Sequence, residues 1–407
     1  MTKDLTVEKH STIEVDLVEG NLLAGHGSTI KAKSGDKISI NGVAKFEGDC
    51  EILSSLEARD LDGEDGTIHV QGDLLLEQSV DVEDGRLVVD GGLQAHDVEV
   101  GKELRIGRDL KCQSLDVGGS LEVEGNMEAQ EAEIGGRVSV DGNLKGNSLD
   151  VGGSVRVRGL TELEKLDVGG RAEVAGGTIR SIDVGGKFES SGKLSSESID
   201  VGGTVRLADG ERIGRIDVGG RLDVDGSMNF DEIDVGGVAR IKGPVKGGRV
   251  KVGGRLRMES NASVDGLDVG GSVEAEGELE ARTVEVGGSL MAELCRATEV
   301  EVGGKVETEK GTKAERFEIG KRGRIRGPLV AERVKMGDKA EADDIYAGEL
   351  QMGDDASARN IYAKRAILGS DCRVSGELLY VEELRVGEDL RSQSEPKKVE
   401  RLPDPPI

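Results

Sequence analysis

From Leu115 to Ile134 the sequence reads LDVGGSLEVEGNMEAQEAEI, and its apolar residues come in pairs two positions apart. A spacing of two puts both side chains of a pair on the same face of a β-strand. The Gly-Gly and Glu-Gly steps between pairs suit sharp corners. Three short strands joined by three corners are therefore predicted. The pairs are Leu115 and Val117, Leu121 and Val123, Met127 and Ala129, and Ala132 and Ile134.

This pattern is one copy of an internal repeat whose first glycine returns every 16 or 17 residues in the clear copies. A fixed short period of this kind is typical of solenoids. A helical interpretation fails because no stripe with a 3.6-residue period exists and glycine interrupts every few residues. Clear copies place that glycine at Gly118, Gly135, Gly152, Gly169, Gly185, Gly202, Gly219, Gly236, Gly253, Gly270, Gly287 and Gly303, and degenerate copies at Gly101, Gly320, Gly337, Gly353, Gly369 and Gly387.

The repeat predicts an all-β fold, a single-stranded parallel β-helix with a triangular cross-section. We expect about 17 residues per rung and roughly 22 rungs. Residues 101–391 are predicted to form the regular rungs, and residues 1–100 to form less regular rungs and a cap. Residues 392–407 lose the pattern and gain proline, so a disordered or extended tail is expected there. Inward pairs predicted in the first segment are Ile38 and Ile40, Ala44 and Phe46, Cys50 and Ile52, Leu56 and Ala58, Ile68 and Val70, and Leu74 and Leu76.

Composition and charge exclude several classes of function. The 54 basic and 80 acidic residues give a formal charge of −26, which opposes binding to nucleic acid and adsorption to anionic lipid. No apolar run is long enough for a transmembrane segment, and the N-terminus has no apolar signal region. We expect a cytoplasmic protein that neither binds nucleic acid nor spans a membrane.

Catalytic and metal-binding patterns are missing from the sequence. The four cysteines and four histidines are scattered, without CxxC pairs or ligand spacing. The paired glycines precede no helix and no GKS or GKT, so they indicate corners and not phosphate loops. The hexapeptide repeat of acyltransferase β-helices, the long loops of pectin-lyase-like helices and the GGxGxD calcium repeat are also missing. The sequence predicts no enzyme, no cofactor and no metal site. Cys112, Cys295 and Cys372 fall on inward positions and are predicted to be core residues.

One outward position is acidic in successive rungs, two residues before the first glycine. We interpret this acidic ladder in one of two ways. It is a solvated edge that keeps the elongated protein soluble, or it is a site that binds cations or a basic partner. Neighbouring charges about 5 Å apart repel, and basic residues such as Arg137, Arg171, Lys187 and Arg221 are expected to offset part of this. The ladder consists of Glu99, Asp116, Glu133, Asp150, Asp167, Asp183, Asp200, Asp217 and Asp234, and Lys251 interrupts it.

A second outward position turns apolar near the C-terminal end. All three tyrosines of the chain, Tyr346, Tyr362 and Tyr380, lie between two inward residues, and Val330 precedes them by one rung. They are predicted to stack at one equivalent position. Stacked aromatics stabilise neighbouring rungs, but tyrosine is also enriched at interfaces. The stripe is therefore either structural or a contact for a subunit or partner.

The VGGxVxVxG rungs, the triangular cross-section and the proline-rich tail resemble the bactofilins, the polymer-forming cytoskeletal proteins. The resemblance covers roughly residues 20–391. It implies a β-helix flanked by disordered tails, polymerisation by end-to-end stacking without nucleotide, and scaffolding of partners at the cell envelope. This chain departs from the family in having several times the usual number of rungs and no short apolar N-terminal anchor.

The leading functional hypothesis is a non-enzymatic, self-assembling cytoskeletal or scaffold protein that polymerises through the ends of its β-helix. Each terminal rung exposes unpaired backbone groups that template another chain. Its partners are then other copies, and a protein partner bound through the C-terminal tail. The alternative is a monomeric interaction module, with capped ends, that docks a partner through an outward ladder. An accessory domain of a larger enzyme complex is a third, weaker hypothesis.

Overall fold

The computed structural model describes residues 3–407 of the chain. These residues form 42 strands and no helix, and the pairs that neighbouring strands form are parallel. The predicted all-β solenoid is confirmed, with about 23 rungs of about 17 residues. Contacts divide the chain into two compact units, residues 1–203 and residues 204–407, which are described in turn.

The strands of the first unit are β1 (Leu5–Val7), β2 (Thr12–Glu14), β3 (Leu17–Val18), β4 (Leu22–Ala24), β5 (Ser28–Lys31), β6 (Lys37–Phe46), β7 (Cys50–Ile52), β8 (Ser55–Val70), β9 (Leu74–Leu76), β10 (Ser79–Val89), β11 (Leu93–Gln94), β12 (Asp97–Val100), β13 (Glu103–Ile106), β14 (Leu110–Val117), β15 (Ser120–Val123), β16 (Met127–Ile134), β17 (Arg137–Val140), β18 (Leu144–Lys145), β19 (Ser148–Val151), β20 (Ser154–Val157), β21 (Thr161–Val168), β22 (Arg171–Val174), β23 (Gly177–Val184) and β24 (Lys187–Val201).

The strands of the second unit are β25 (Thr204–Val218), β26 (Arg221–Val224), β27 (Met228–Val235), β28 (Val238–Ile241), β29 (Val245–Val252), β30 (Arg255–Met258), β31 (Ala262–Val269), β32 (Ser272–Val286), β33 (Ser289–Val302), β34 (Lys305–Ile319), β35 (Arg324–Arg326), β36 (Leu329–Met336), β37 (Glu341–Met352), β38 (Ser357–Leu368), β39 (Arg373–Val374), β40 (Leu378–Val386), β41 (Arg391–Ser392) and β42 (Lys397–Lys398).

Each rung has three arms, named here from the Gly-Gly corner onward. In one rung of the first unit the first arm is β15, and β16 supplies the second arm (residues 127–129) and the third arm (residues 131–134). Each arm pairs with the same arm of the neighbouring rung: Ala132, for example, pairs with Leu115 on one side and Leu149 on the other. The third arms of successive rungs therefore lie side by side on one face of the unit.

The alternating side chains of each arm build the core of the first unit. Leu121 and Val123 are each 1% exposed, whereas Glu122 between them is exposed. The irregular rungs of residues 38–76 obey the same rule, since all twelve residues of their predicted inward pairs are buried. Strands β1 to β3 already form the three arms of a rung, so rung structure extends back to Leu5.

The last rungs of the second unit turn their corners differently. Here the Gly-Gly corner is replaced by sequences such as GDKAEA and GDDASA, and single non-glycine residues take the left-handed conformation. Lys339 has a φ of 60° and Asp355 a φ of 57°; aspartate tolerates this conformation better than most residues. These corners preserve the parallel pairing of β37 with β38.

Strand pairing continues beyond residue 391, the boundary expected from the sequence for a disordered or extended tail. Strand β41 pairs with β39, and β42 pairs with Leu379 and Tyr380 of β40. The Val399 amide then donates to the Tyr380 carbonyl over 2.8 Å. The first part of the tail thus adds a first and a second arm to the solenoid.

Candidate interaction surfaces

The acidic ladder of the first unit lies at the middle position of the third arm. Asp150 pairs in register with Glu133 on one side and Asp167 on the other, and Asp183 pairs with Asp200. The register also adds two carboxylates that the motif did not reveal, Asp62 and Asp81. The ladder of this unit consists of Asp62, Asp81, Glu99, Asp116, Glu133, Asp150, Asp167, Asp183 and Asp200.

Two of the basic residues expected to offset this ladder, Arg171 and Lys187, form ion pairs with other carboxylates. The Arg171 guanidinium lies 3.3 Å from Glu173, and the Lys187 ammonium 2.6 Å from Glu189, both on the first arm. Both basic side chains lie across the corner from the ladder. Each forms an ion pair with the carboxylate two residues further along its own strand. For these two residues the expectation was wrong, because their ion-pair partner is a carboxylate on their own strand and not one of the ladder.

Among the described residues of the first unit, only one ladder carboxylate has an ion-pair partner at close range. The Lys165 ammonium lies 3.0 Å from Asp167, and this hydrogen bond raises the pKa of Lys165. Partial burial, followed by repulsion from Asp167 and Asp200, raises the pKa of the Asp183 carboxyl. Burial and the neighbouring Asp81 similarly raise the pKa of Asp62. At Asp62 and Asp183, burial and the neighbouring ladder charges therefore disfavour the ionised carboxyl in the folded state.

The second unit carries an acidic ladder that Lys251 interrupts and that resumes with Asp268, Glu285, Glu301 and Glu318. Asp217 pairs in register with Asp234, and Lys251 follows on the next rung, as the sequence predicted. The Arg215 guanidinium lies 3.2 Å from Asp217. Among residues 3–407, no group of three or more His, Cys, Asp or Glu side chains is placed to hold a metal ion.

The tyrosine stripe lies on the outward position of the second arm in the second unit. Val330 pairs in register with Tyr346, and Tyr346 with Tyr362. The two rings are 4.8 Å apart between centroids and inclined by 33°. The Tyr362 hydroxyl donates to a Glu377 carboxylate oxygen over 3.0 Å. Burial together with this carboxylate raises the pKa of Tyr362 to about 12.

Tyr380 does not occupy the position predicted for it. The register places Leu379 opposite Tyr362, and Tyr380 opposite Ala363. Aligning the IYA and LYV motifs assumes an offset of 18 residues, whereas this part of the arm pairs at an offset of 17, as Ile361 does with Leu378. The stripe is therefore Val330, Tyr346, Tyr362 and Leu379, and Tyr380 lies one position along the strand.

The stripe is less exposed than an outward position should be. In preceding rungs of the second unit this position holds Lys246, Glu280 and Lys313, all exposed. Val330 and Tyr346 are half-buried, and Tyr362 is only 8% exposed. The loss of exposure begins at Val330, one rung after Lys313. The Ile407 side chain lies beside Gly311, on the rung of Lys313. A Cβ atom placed on Gly311 would sit 2.6 Å from Ile407 Cδ1.

The terminal rungs present strand edges that lack a second partner. At the start of the first unit, β1, β2 and β3 each pair on one side only within residues 3–407. At the end of the second unit, Glu383–Val386 of β40 pairs with β38 alone among the described strands. Val386, which takes an inward position, is 39% exposed there, whereas Leu368 one rung earlier is 2% exposed.

The cysteines behave as core residues. Cys112, Cys295 and Cys372 are buried as predicted, and so is Cys50. Burial raises the pKa of Cys112 and of Cys295 to about 12, so these thiols stay protonated. No helix within residues 3–407 has the length and apolar character needed to cross a bilayer.

Comparison of the chain with protein-family models, with curated proteins and with solved structures finds no match.

Proposed function

We propose that the chain is a non-enzymatic scaffold protein that assembles end to end without nucleotide, in the manner of the bactofilins that its repeat resembles. The observation that carries the proposal is the pair of one-sided strand edges on the first and last rungs. An uncovered edge offers a row of backbone donors and acceptors to another strand, and a second copy of the same solenoid supplies the matching row.

The order of the arms supports a continuous junction. The described rungs begin with a third arm, β1, followed by a first and a second arm, β2 and β3. The last pairings are a first arm, β41, and a second arm, β42. In the order of the arms, a third arm comes next. Strand β1 of another copy is a third arm. Stacking β1 on Glu383–Val386 would pair third arm with third arm.

The exposed inward residue at this edge supports the same junction. Among the described residues no third arm lies beyond Val386, and stacking one there would bury its side chain. Full burial of a valine side chain contributes about 1.5–3 kcal/mol, and covering the 39% of Val386 that is exposed contributes about 1 kcal/mol. Backbone pairing and this apolar contact would act together, so no bound nucleotide is needed for assembly.

The test compares two substitutions in the full-length protein. Val386→Asp places a charge at the proposed junction, and Ile367→Asp is its matched control, because Ile367 is 47% exposed on the lateral surface one rung earlier. We expect filaments of the unsubstituted protein and of Ile367→Asp in negative-stain microscopy and sedimentation. Val386→Asp should stay monomeric with an unchanged circular dichroism spectrum. Equal assembly of both variants, or a strictly monomeric unsubstituted protein, would contradict the proposal.

A second candidate is a monomeric module that docks a basic partner through the acidic ladder. The observation that favours it is the run of ladder carboxylates from Glu99 to Asp150, since no ion pair to these four side chains is found among the described residues. This candidate predicts a monomer at micromolar concentration and salt-sensitive binding to a basic peptide such as oligolysine. Ladder repulsion alone predicts a salt effect on stability without binding.

The proposal places the protein in the cytoplasm, without a membrane-spanning segment, nucleic acid or cofactor. Four free cysteines buried at separate positions support this location, since disulfides are typical of oxidising compartments. The net charge of −26 supports the exclusion of nucleic acid.

A further inference from the structure

The C-terminal segment 399–407, VERLPDPPI, does not continue the solenoid beyond β42. In the regular rungs the chain passes from the second arm directly into the third arm. The Val399 amide still donates to the Tyr380 carbonyl. Beyond it the chain runs back along the solenoid, as the position of Ile407 against Gly311 shows. Proline has no N–H group and cannot complete a ladder, and this segment contains three prolines.

The length of the segment matches the distance that it covers. Five rungs separate the two ends of the segment. Ile407 contacts Gly311 on the rung of Lys313, and Val399 follows Lys398. Going back from Lys398, the rungs are those of Tyr380, Tyr362, Tyr346, Val330 and Lys313. At about 4.8 Å a rung, this distance is about 24 Å. Eight residue steps in the polyproline II conformation span about 25 Å. An extended segment therefore reaches from one contact to the other with little slack.

The pattern of exposure indicates which side of the segment faces the solenoid. Val399, Leu402 and Ile407 are half-buried, whereas every other residue of the segment is exposed. Val399 and Leu402 are three residues apart, the repeat of a polyproline II helix. Arg401 and Asp404 form an ion pair of 2.8 Å with both side chains more than 80% exposed. The segment thus has an apolar side toward the body and a charged side toward solvent.

The loss of exposure along the tyrosine stripe coincides with this path. Lys313, next to the end of the path, is still exposed, and the stripe positions from Val330 to Leu379 are half-buried or buried. Extended proline-rich segments bind aromatic-lined grooves because they lose little conformational entropy on binding.

We propose that the tyrosine stripe is a binding surface for an extended proline-rich segment, and that residues 399–407 of the same chain occupy it as a strap that keeps the C-terminal edge free for stacking. The edge function rests on the assembly proposed above. When the strap is docked, Glu383–Val386 has no described strand beyond it. When the strap is released, its prolines lie at the position that β1 of the next copy needs.

The test uses full-length Leu402→Ser/Ile407→Ser, with Pro403→Ser/Pro405→Ser as the control, because both of these prolines are exposed. The chain has no tryptophan and three tyrosines, of which Tyr346 and Tyr362 lie in the stripe, so acrylamide quenching of its intrinsic fluorescence reports mainly on the stripe. Losing two apolar contacts should lower the docked population about tenfold or more. We expect stronger quenching and less sedimentable polymer for the first variant, and smaller changes for the control.

Each readout can overturn a separate part of the inference. Unchanged quenching in Leu402→Ser/Ile407→Ser would show that the strap does not cover the stripe. Increased quenching with unchanged polymer would refute its effect on the edge. If the unsubstituted protein forms no polymer, the assembly proposal and the edge function both fail, and quenching still decides whether the strap is docked. A synthetic VERLPDPPI peptide should restore low quenching to the first variant, and failure to do so would contradict the binding surface.

Discussion

Replacing Gly136 by alanine tests how closely the Gly-Gly corners stack. The Gly136 amide donates to the Gly119 carbonyl over 2.9 Å. A Cβ atom on Gly136 would lie 2.6 Å from that same oxygen, so the two corners must separate and the hydrogen bond must lengthen. Overpacking of this kind costs about 1–3 kcal/mol, and weakening one hydrogen bond adds about 1 kcal/mol. We expect Gly136→Ala to destabilise the first unit by about 2–4 kcal/mol.

The matched control is Gly266→Ala in the second unit. A Cβ atom on Gly266 meets only the Thr283 hydroxyl at 3.2 Å and the Arg249 side chain at 4.0 Å. Alanine at such a position is neutral or stabilises by about 0.4–1 kcal/mol, because it restricts the unfolded chain. Urea unfolding followed by circular dichroism, with hydrogen exchange of the corner amides, measures both variants. Equal unfolding midpoints, or fast exchange confined to Gly266→Ala, would refute the stacking argument.

Three further predictions concern titrating groups. The pKa of Asp183 is raised, so its charge opposes folding at neutral pH and this cost disappears as pH falls through the raised pKa; Asp183→Asn should therefore raise the melting temperature at pH 7, and the difference should shrink in acid and in salt. The pKa of Tyr362 is raised to about 12, so stability should fall as pH rises from about 10 to 12. Tyr362→Phe should lose that pH dependence along with the hydrogen bond to Glu377, and equal slopes in alkaline melts would contradict this. Cys295, with a pKa of about 12 and no exposure, should react with Ellman's reagent at pH 8 only after unfolding; rapid reaction of the native protein would contradict its burial.

The sequence was sufficient for the fold because the core of a β-solenoid repeats locally. Pairs such as Leu121 and Val123 reveal an inward face within three residues, and the step of 17 residues sets the partner on the next rung. Irregular rungs follow the same rule. Phe46 is correctly predicted as a core residue although the spacing between corners varies in its part of the chain.

Other features of the candidate surfaces depend on register and on distant contacts. The 17-residue offset of this arm puts Leu379 and not Tyr380 in the stripe, and a motif comparison does not detect a difference of one residue. The contact between Ile407 and Gly311 joins positions far apart in the chain, and no repeat connects them. Asp62 and Asp81 belong to the ladder through pairing alone, since the residues around them lack the VGG motif.

The 17-residue register also means that the length of such a chain is quantised. Removing residues 120–136 from the first unit would join Gly119 to Arg137, and Val138 would then stack on Leu104 as Leu121 does now. Removing an odd number of residues from within an arm would instead turn every following side chain of that arm from the core to the solvent. A gene encoding this repeat can therefore lengthen or shorten its product by whole rungs while leaving the type of each contact intact.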